Sequence, residues 1–126
     1  MSTRFKYELA QLYLDAGEDD KALSLFEDLR EGAYSLVALA ALGTVAERKG
    51  DLEGALAHWK QMLKETRVGD PLWFRGTYDV ARAYHARGDT AQACRTIRPA
   101  ANMIARLRNE SLKRDIEQLG AEACGK

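Results

Sequence analysis

The sequence predicts an all-α fold of stacked antiparallel helix pairs, about seven helices in 126 residues. One phrase occurs three times, as Gly17–Phe26 (GEDDKALSLF), Gly50–Trp59 (GDLEGALAHW) and Gly88–Ile97 (GDTAQACRTI). In each copy a Gly is followed by an acidic residue, then by Ala five positions after the Gly and a bulky apolar residue four beyond that. Upstream of each Gly the match continues, with Leu9-Ala10, Leu42-Gly43 and Val80-Ala81 in register, and Tyr13, Ala46 and Tyr84 likewise. Apolar residues between the copies recur with the helical period, and no alternating β-type run occurs.

The repeated Gly closes one helix by taking a left-handed conformation that costs it nothing. The acidic residue after it opens the next. Asp51 and Asp89 are N-caps by type, and Asp89 with Gln92 has capping-box spacing. Glu18-Asp19-Asp20 places negative charge at the positive end of a helix. Ala10, Gly43 and Ala81 are small because a bulky side chain there would hold the paired helix away.

These signals predict helices over 3–16, 20–31, 33–49, 52–66, 71–87 and 90–108, and a seventh over 110–122. The helix over 33–49 is apolar nearly all round, as a helix packed between neighbours must be. In the seventh, Leu112, Ile116, Leu119 and Ala123 form one stripe on a charged helix, which reads as a cap over the last pair.

Two irregularities interrupt the frame. The repeated glycines are separated by 33 residues (50 − 17) and then 38 (88 − 50). The surplus falls near Asp70-Pro71, an N-cap followed by Pro at the first helical position, so that helix starts a turn early and carries Trp73 and Phe74 on an overhang. Two readings stay open for these aromatics: that both fold against Leu63, Val68 or a neighbouring helix, which is slightly favoured because scattered exposed aromatics are ordinary, or that one stays exposed. Pro99 lies inside the sixth helix and predicts a kink there.

This frame resembles the tetratricopeptide repeat, a helix–turn–helix unit of about 34 residues with the pattern W-x2-L-G-x2-Y, A-x3-F, P. The resemblance covers Phe5 to about Ala105, as repeats over 3–33, 34–68 and 70–108 of a single domain spanning 1–126. It departs at Lys6, Leu39 and Thr77, where the family often has Trp, and at Tyr34, Arg67 and Ala105, where it often has Pro. It implies a right-handed superhelix whose first helices line a concave face that receives partner peptides. The lining so implied is Arg4, Tyr7, Gln11, Leu14, Val37, Ala40, Thr44, Glu47, Arg75, Tyr78, Arg82 and His85, with Tyr7, Gln11, Ala40, Thr44, Arg75, Tyr78, Arg82 and His85 as the binding residues. Some members clamp a terminal carboxylate with a Lys/Asn/Asn/Lys/Arg set. The equivalent places here carry Tyr7, Gln11, Thr44, Tyr78 and Arg82, and only Arg82 matches.

Independently of the family, Arg75, Tyr78, Arg82 and His85 form one ladder on a helix. Their helix is poor in acid, and on the lining that the resemblance implies Val37, Ala40 and Thr44 would make a shallow apolar floor, which together suit a partner segment with acidic and apolar residues. The structural alternative is that Asp79 pairs with Arg75 or Arg82 on a solvated face.

Composition narrows the classes. Formal net charge is zero, which argues against nucleic acid as partner although Pro71–Arg114 is locally basic. No apolar leader or membrane-length stretch occurs, so the expected location is cytoplasmic and no membrane partner is expected. His58 and His85 belong to no metal-binding spacing and no Gly-rich phosphate loop occurs, so neither metal, cofactor nor catalysis is expected. Cys94 and Cys124 have no redox spacing and read as reduced thiols, with pairing left open. The expected function is a noncatalytic protein-interaction scaffold. The alternative is a structural or self-association module, a homo-oligomer joined through Trp73, Phe74 or the outer helix surface.

Overall fold

A computed structural model describes residues 1–125 of the chain. Among them are seven α-helices and no strand: α1 (Thr3–Asp15), α2 (Asp19–Asp28), α3 (Ser35–Arg48), α4 (Leu52–Glu65), α5 (Pro71–Ala86), α6 (Thr90–Asn102) and α7 (Glu110–Cys124). A single 3₁₀ turn, Ile104–Arg106, follows α6.

The three repeated glycines make the same turn. Gly17, Gly50 and Gly88 have φ of 79°, 84° and 91°, in the left-handed region. The amide after each glycine bonds back to the repeated upstream position, Glu18 to Tyr13 O at 2.8 Å, Asp51 to Ala46 O at 2.9 Å and Asp89 to Tyr84 O at 2.9 Å. This is the double closure that satisfies the last carbonyls of a helix. The next helix then starts on a capped N-terminus, with Gly54 N–H donating to Asp51 Oδ1 at 2.9 Å and Gln92 N–H to Asp89 Oδ1 at 3.4 Å. The Gln92 side chain takes Arg95 Nη2 instead of returning to Asp89. Asp70 has the extended backbone of an N-cap before Pro71, but its side chain does not cap.

The chain divides into two compact units, Met1–Met62 and Leu63 onward. In the first, Ala10 and Leu14 of α1, Ala22 and Phe26 of α2, and Ala38, Ala41, Leu42 and Val45 of α3 form one core. Two cations at the end of α3 clamp the start of α2: Arg48 Nη1 lies 2.7 Å from Asp19 Oδ1, and Lys49 Nζ 2.7 Å from Asp20 Oδ1. The hydrogen bond from Lys49, aided by its charge, holds the Asp20 carboxyl below its ordinary value. The buried Trp59 of α4 lies against Gly43, where a Cβ would clash with the indole ring.

The second unit is built on Trp73, Phe74, Ala81, Ile97, Ala100, Leu107, Leu112, Ile116 and Leu119. Two expectations change here, and the choice left open for the two aromatics is decided in favour of burial. Trp73 and Phe74 are both buried, 8% and 0% exposed, because they meet edge to face with centroids 5.0 Å apart and share one core with Leu63. Val68 remains outside, exposed. The overhang therefore presents no aromatic surface for self-association.

The sixth helix passes through Pro99 but ends at Asn102, well before Arg108. The backbone tightens into the 3₁₀ turn and extends at Leu107, which becomes buried. That path also brings Asn109 to cap α7, with Leu112 N–H donating to Asn109 Oδ1 at 3.0 Å.

The reduced-thiol reading is overturned as well. Cys94 and Cys124 form a disulfide with Cα atoms 4.9 Å apart across a sequence separation of 30. The physical reason is the antiparallel pairing of α6 and α7, which sets the first turns of one beside the last turn of the other. Spacing along the chain carries no trace of that neighbourhood. The α7 stripe of Leu112, Ile116, Leu119 and Ala123 is buried as expected of a cap.

Candidate functional site

The expected binding residues fall into two groups, one in each unit. In the first unit, Tyr7 of α1 stacks on Tyr34 with centroids 4.7 Å apart and planes at 15°. One turn on, Gln11 Nε2 donates to Asp15 Oδ1 at 3.1 Å, while the exposed Arg4 pairs with Glu8 at 3.1 Å. On α3, Thr44 Oγ1 donates to the Ala40 carbonyl at 3.2 Å, so its hydroxyl is turned into its own helix and the residue presents mainly its methyl. Ala40, Val37 and Thr44 are half-buried. This patch is an aromatic and small-residue surface with little uncommitted charge.

The second group is a cleft. Tyr78, Arg82, His85 and Ala86 of α5 face Asp115, Gln118, Leu119 and Glu122 of α7 across a space of about 230 Å³. Arg75 lies exposed on the same ladder but does not line the cleft. Helical spacing puts Tyr78, Arg82 and His85 on one face of α5, and the same spacing puts Asp115, Gln118 and Glu122 on one face of α7.

The cleft mixes signs. Arg82 Nη2 lies 3.5 Å from Asp79 Oδ1, so the expected pairing of Asp79 is with Arg82. The Arg82 guanidinium also sits 6.0 Å from the Tyr78 ring centroid. His85 Nε2 lies 3.8 Å from Glu122 Oε1, and its Nδ1 is 3.4 Å from Thr90 Oγ1. Burial, followed by the field of Asp115, pushes the Tyr78 hydroxyl above its ordinary value of 10.0, while Arg82 and Arg75 act against it. Tyr78 is thus a neutral hydroxyl, able to donate or accept, on an apolar ring.

The acidic half of this cleft was missed in the sequence. Asp115, Gln118 and Glu122 repeat the i, i+3, i+7 spacing of Arg75, Tyr78 and Arg82, and that was the available signal. It was masked because a charged face on a capping helix also has a sufficient explanation in solvation. Among the described residues no group of His, Cys, Asp and Glu is arranged to hold a metal ion. No helix among them is long and apolar enough to cross a membrane.

Comparison with known proteins supports the repeat reading. The tetratricopeptide repeat family model matches residues 36–61 and 75–99, which are α3 with most of α4, and most of α5 with most of α6. No curated protein matches the chain in sequence. Among solved structures, PcrH from Pseudomonas aeruginosa superposes with a TM-score of 0.83 at 19% identity, covering 97% of this chain and 91% of that one. PcrH in complex with the chaperone binding region of PopD matches equally well, TM-score 0.83 and 19% identity over 97% and 90% of the two chains. The TPR-like repeats of a kinesin light chain from Podosopora anserina follow with a TM-score of 0.72 at 24% identity, over 97% of this chain and 66% of that one. At these identities the likeness establishes the helical-repeat fold.

Proposed function

We propose that the protein is a noncatalytic interaction module that binds a peptide segment of a partner on the exposed faces of its first-position helices. The observation that carries this reading is the open α5–α7 cleft. It joins a guanidinium, a neutral phenol and an imidazole on one wall to carboxylates and an amide on the other. Such a set orients a peptide by its polar groups and contains no nucleophile with an activating base. Arg82, backed by the Tyr78 ring, is suited to a carboxylate of the partner, and Leu119 to one of its apolar side chains. Asp115 and Glu122 balance the basic ladder, so the segment that fits has acidic and apolar residues without being uniformly acidic. Structures of PcrH with chaperone binding regions of PopD and PopB show a similar fold engaging partner segments, which is support by analogy.

A photo-crosslinking amino acid at position 78, followed by mass spectrometry of the crosslinked partner, tests this directly. Arg82→Ala should then weaken the recovered partner's affinity at least about tenfold, with helicity kept. Arg108→Ala, outside the cleft, serves as the control. Unchanged affinity in Arg82→Ala and Tyr78→Ala sinks the reading.

Self-association is the alternative, and the exposed Phe5 and Leu12, two turns apart on one face of α1, are the observation that favours it. A concentration-dependent dimer in sedimentation that is abolished by Leu12→Glu would establish it. For location, the cytoplasm expected from sequence stands against the Cys94–Cys124 bridge, since such bridges persist in oxidising compartments. Alkylation of the protein in its host decides between them.

A further inference from the structure

Each repeat seats one large side chain of its second helix in the same core as one small residue of its first, sixteen positions earlier. The pairs are Phe26 with Ala10, Trp59 with Gly43 and Ile97 with Ala81. Helix α7 carries the same first-helix signature. Its Ile116-x2-Leu119-Gly120-x2-Ala123 is in register with Leu39-x2-Leu42-Gly43-x2-Ala46 of α3. The two glycines differ in what faces them: a Cβ on Gly43 would strike Trp59, whereas a Cβ on Gly120 meets nothing within 4 Å.

What faces Gly120 is an open, mainly apolar groove of about 430 Å³ between Ile97, Arg98 and Ala101 of α6 and Glu117, Gly120 and Ala121 of α7. The corresponding place in the first unit is filled by α4. There the Trp59 Nε1–H donates to the carbonyl of Ala40, the counterpart of Glu117, at 3.2 Å. There also His58 lies in the fields of Glu27 and Arg30, the counterparts of Arg98 and Ala101. Where the first unit has an acid beside the seated helix, the groove on α7 has the exposed Arg98, which forms no ion pair among the described residues.

We infer that the α6–α7 groove is a second docking site, which takes an amphipathic helix of a partner protein with a tryptophan-sized side chain over Gly120 and a carboxylate facing Arg98. The repeat geometry specifies the occupant, because the same small residue in the same register is covered by such a helix within this chain. The Arg98 guanidinium, whose Nη2 donates to Cys94 Sγ at 3.1 Å and which has no carboxylate partner among the described residues, supplies the charge preference. This groove uses Glu117, Gly120 and Ala121, a different face of α7 from the Asp115, Gln118 and Glu122 of the proposed peptide cleft. Occupancy of one site leaves the other open, so one chain can join two partners.

The probe is a synthetic peptide with the sequence of Leu52–Glu65 carrying His58→Glu, titrated into isotope-labelled, disulfide-bonded protein and followed by amide chemical shifts. Saturable shifts centred on Ala101, Gly120 and Ala121 are expected, with a dissociation constant below about 1 mM. Trp59→Ala in the peptide should weaken binding about tenfold or more. Gly120→Leu in the protein should do the same without loss of helicity, since its side chain points into open space. Arg98→Glu should reverse the preference, favouring a His58→Lys peptide over the His58→Glu one. Absence of saturable shifts, shifts located elsewhere, or equal binding by Gly120→Leu overturns the proposal. So does a dimer of the protein that buries Gly120, which would make a second copy the occupant.

Discussion

The Trp59 indole closes over Gly43 and donates its N–H to the Ala40 carbonyl at 3.2 Å. Substitution of Gly by Ala inside a helix ordinarily stabilises by about 1 kcal/mol through propensity. At Gly43 the sign reverses, because the added carbon must displace a buried ring. Gly43→Ala is expected to destabilise by about 1–3 kcal/mol and Gly43→Leu by at least as much. Denaturant midpoints measure both, and stability at or above the parent would refute this packing.

Trp73 is a core residue and not an adhesive one. Trp73→Ala should cost about 3–5 kcal/mol, the usual range for removing a large buried aromatic. Its sedimentation coefficient at high concentration should match the parent's. A variant of unchanged stability that differs in association would return the aromatic to the surface.

The Cys94–Cys124 bridge closes a loop with a sequence separation of 30. In the chain-entropy account such a loop contributes about 3–4 kcal/mol by restricting the unfolded chain. Reduction, or Cys124→Ser, is expected to lower stability by that amount while leaving α1–α4 folded. Hydrogen exchange read per residue should show faster opening confined to α6 and α7. Uniform loss of protection across the chain would mean that the bridge supports more than its own helix pair.

Burial, and then the charge of Arg30, lowers the His58 pKa from its ordinary 6.5. The fold therefore favours the neutral ring, and its contribution is complete above 6.5 and declines as the pH falls through that value toward the folded one. His58→Gln should flatten the stability profile across that window. Tyr78 has the opposite sense. Its raised value leaves stability intact below 10.0 and erodes it as the pH rises past that point through the folded value. Unfolding followed over pH, with Tyr78→Phe as the second control, separates the two; an unchanged acid limb in His58→Gln would disprove the first.

The turns were the most legible part of the sequence. Gly17, Gly50 and Gly88, with the acids after them, encode a local event that needs no distant contact, and the three turns formed as read. The small positions were legible for the same reason, since Gly43 announces a close approach even before Trp59 is known to make it. The Cys94–Cys124 bridge was not legible, because it depends on how α6 and α7 lie side by side. Nor was the end of α6. Helical periodicity runs on past Asn102, and what stops it is the burial of Leu107, a tertiary gain that outweighs local preference.

Of the binding surface, the α5 ladder could be read because its residues belong to one helix, whereas its acidic counterpart on α7 required knowledge of which helix comes next to it. The same limit applied to Trp73 and Phe74. Adjacent residues on a helix point about 100° apart, so the sequence could favour burial of both only slightly over one outside. A broad core built from α5, α6 and α7 accepts both.

Under mechanical load the bridge would divide the chain's behaviour in two. A force applied across the ends is carried through the sulfur atoms and bypasses the segment from Cys94 to Cys124, a sequence separation of 30. At about 3.3–3.6 Å per extended residue, roughly 100 Å of contour length stays hidden from the pull. A reductant would release that length as a separate step, so the redox state of the surroundings would set how far this protein can be stretched.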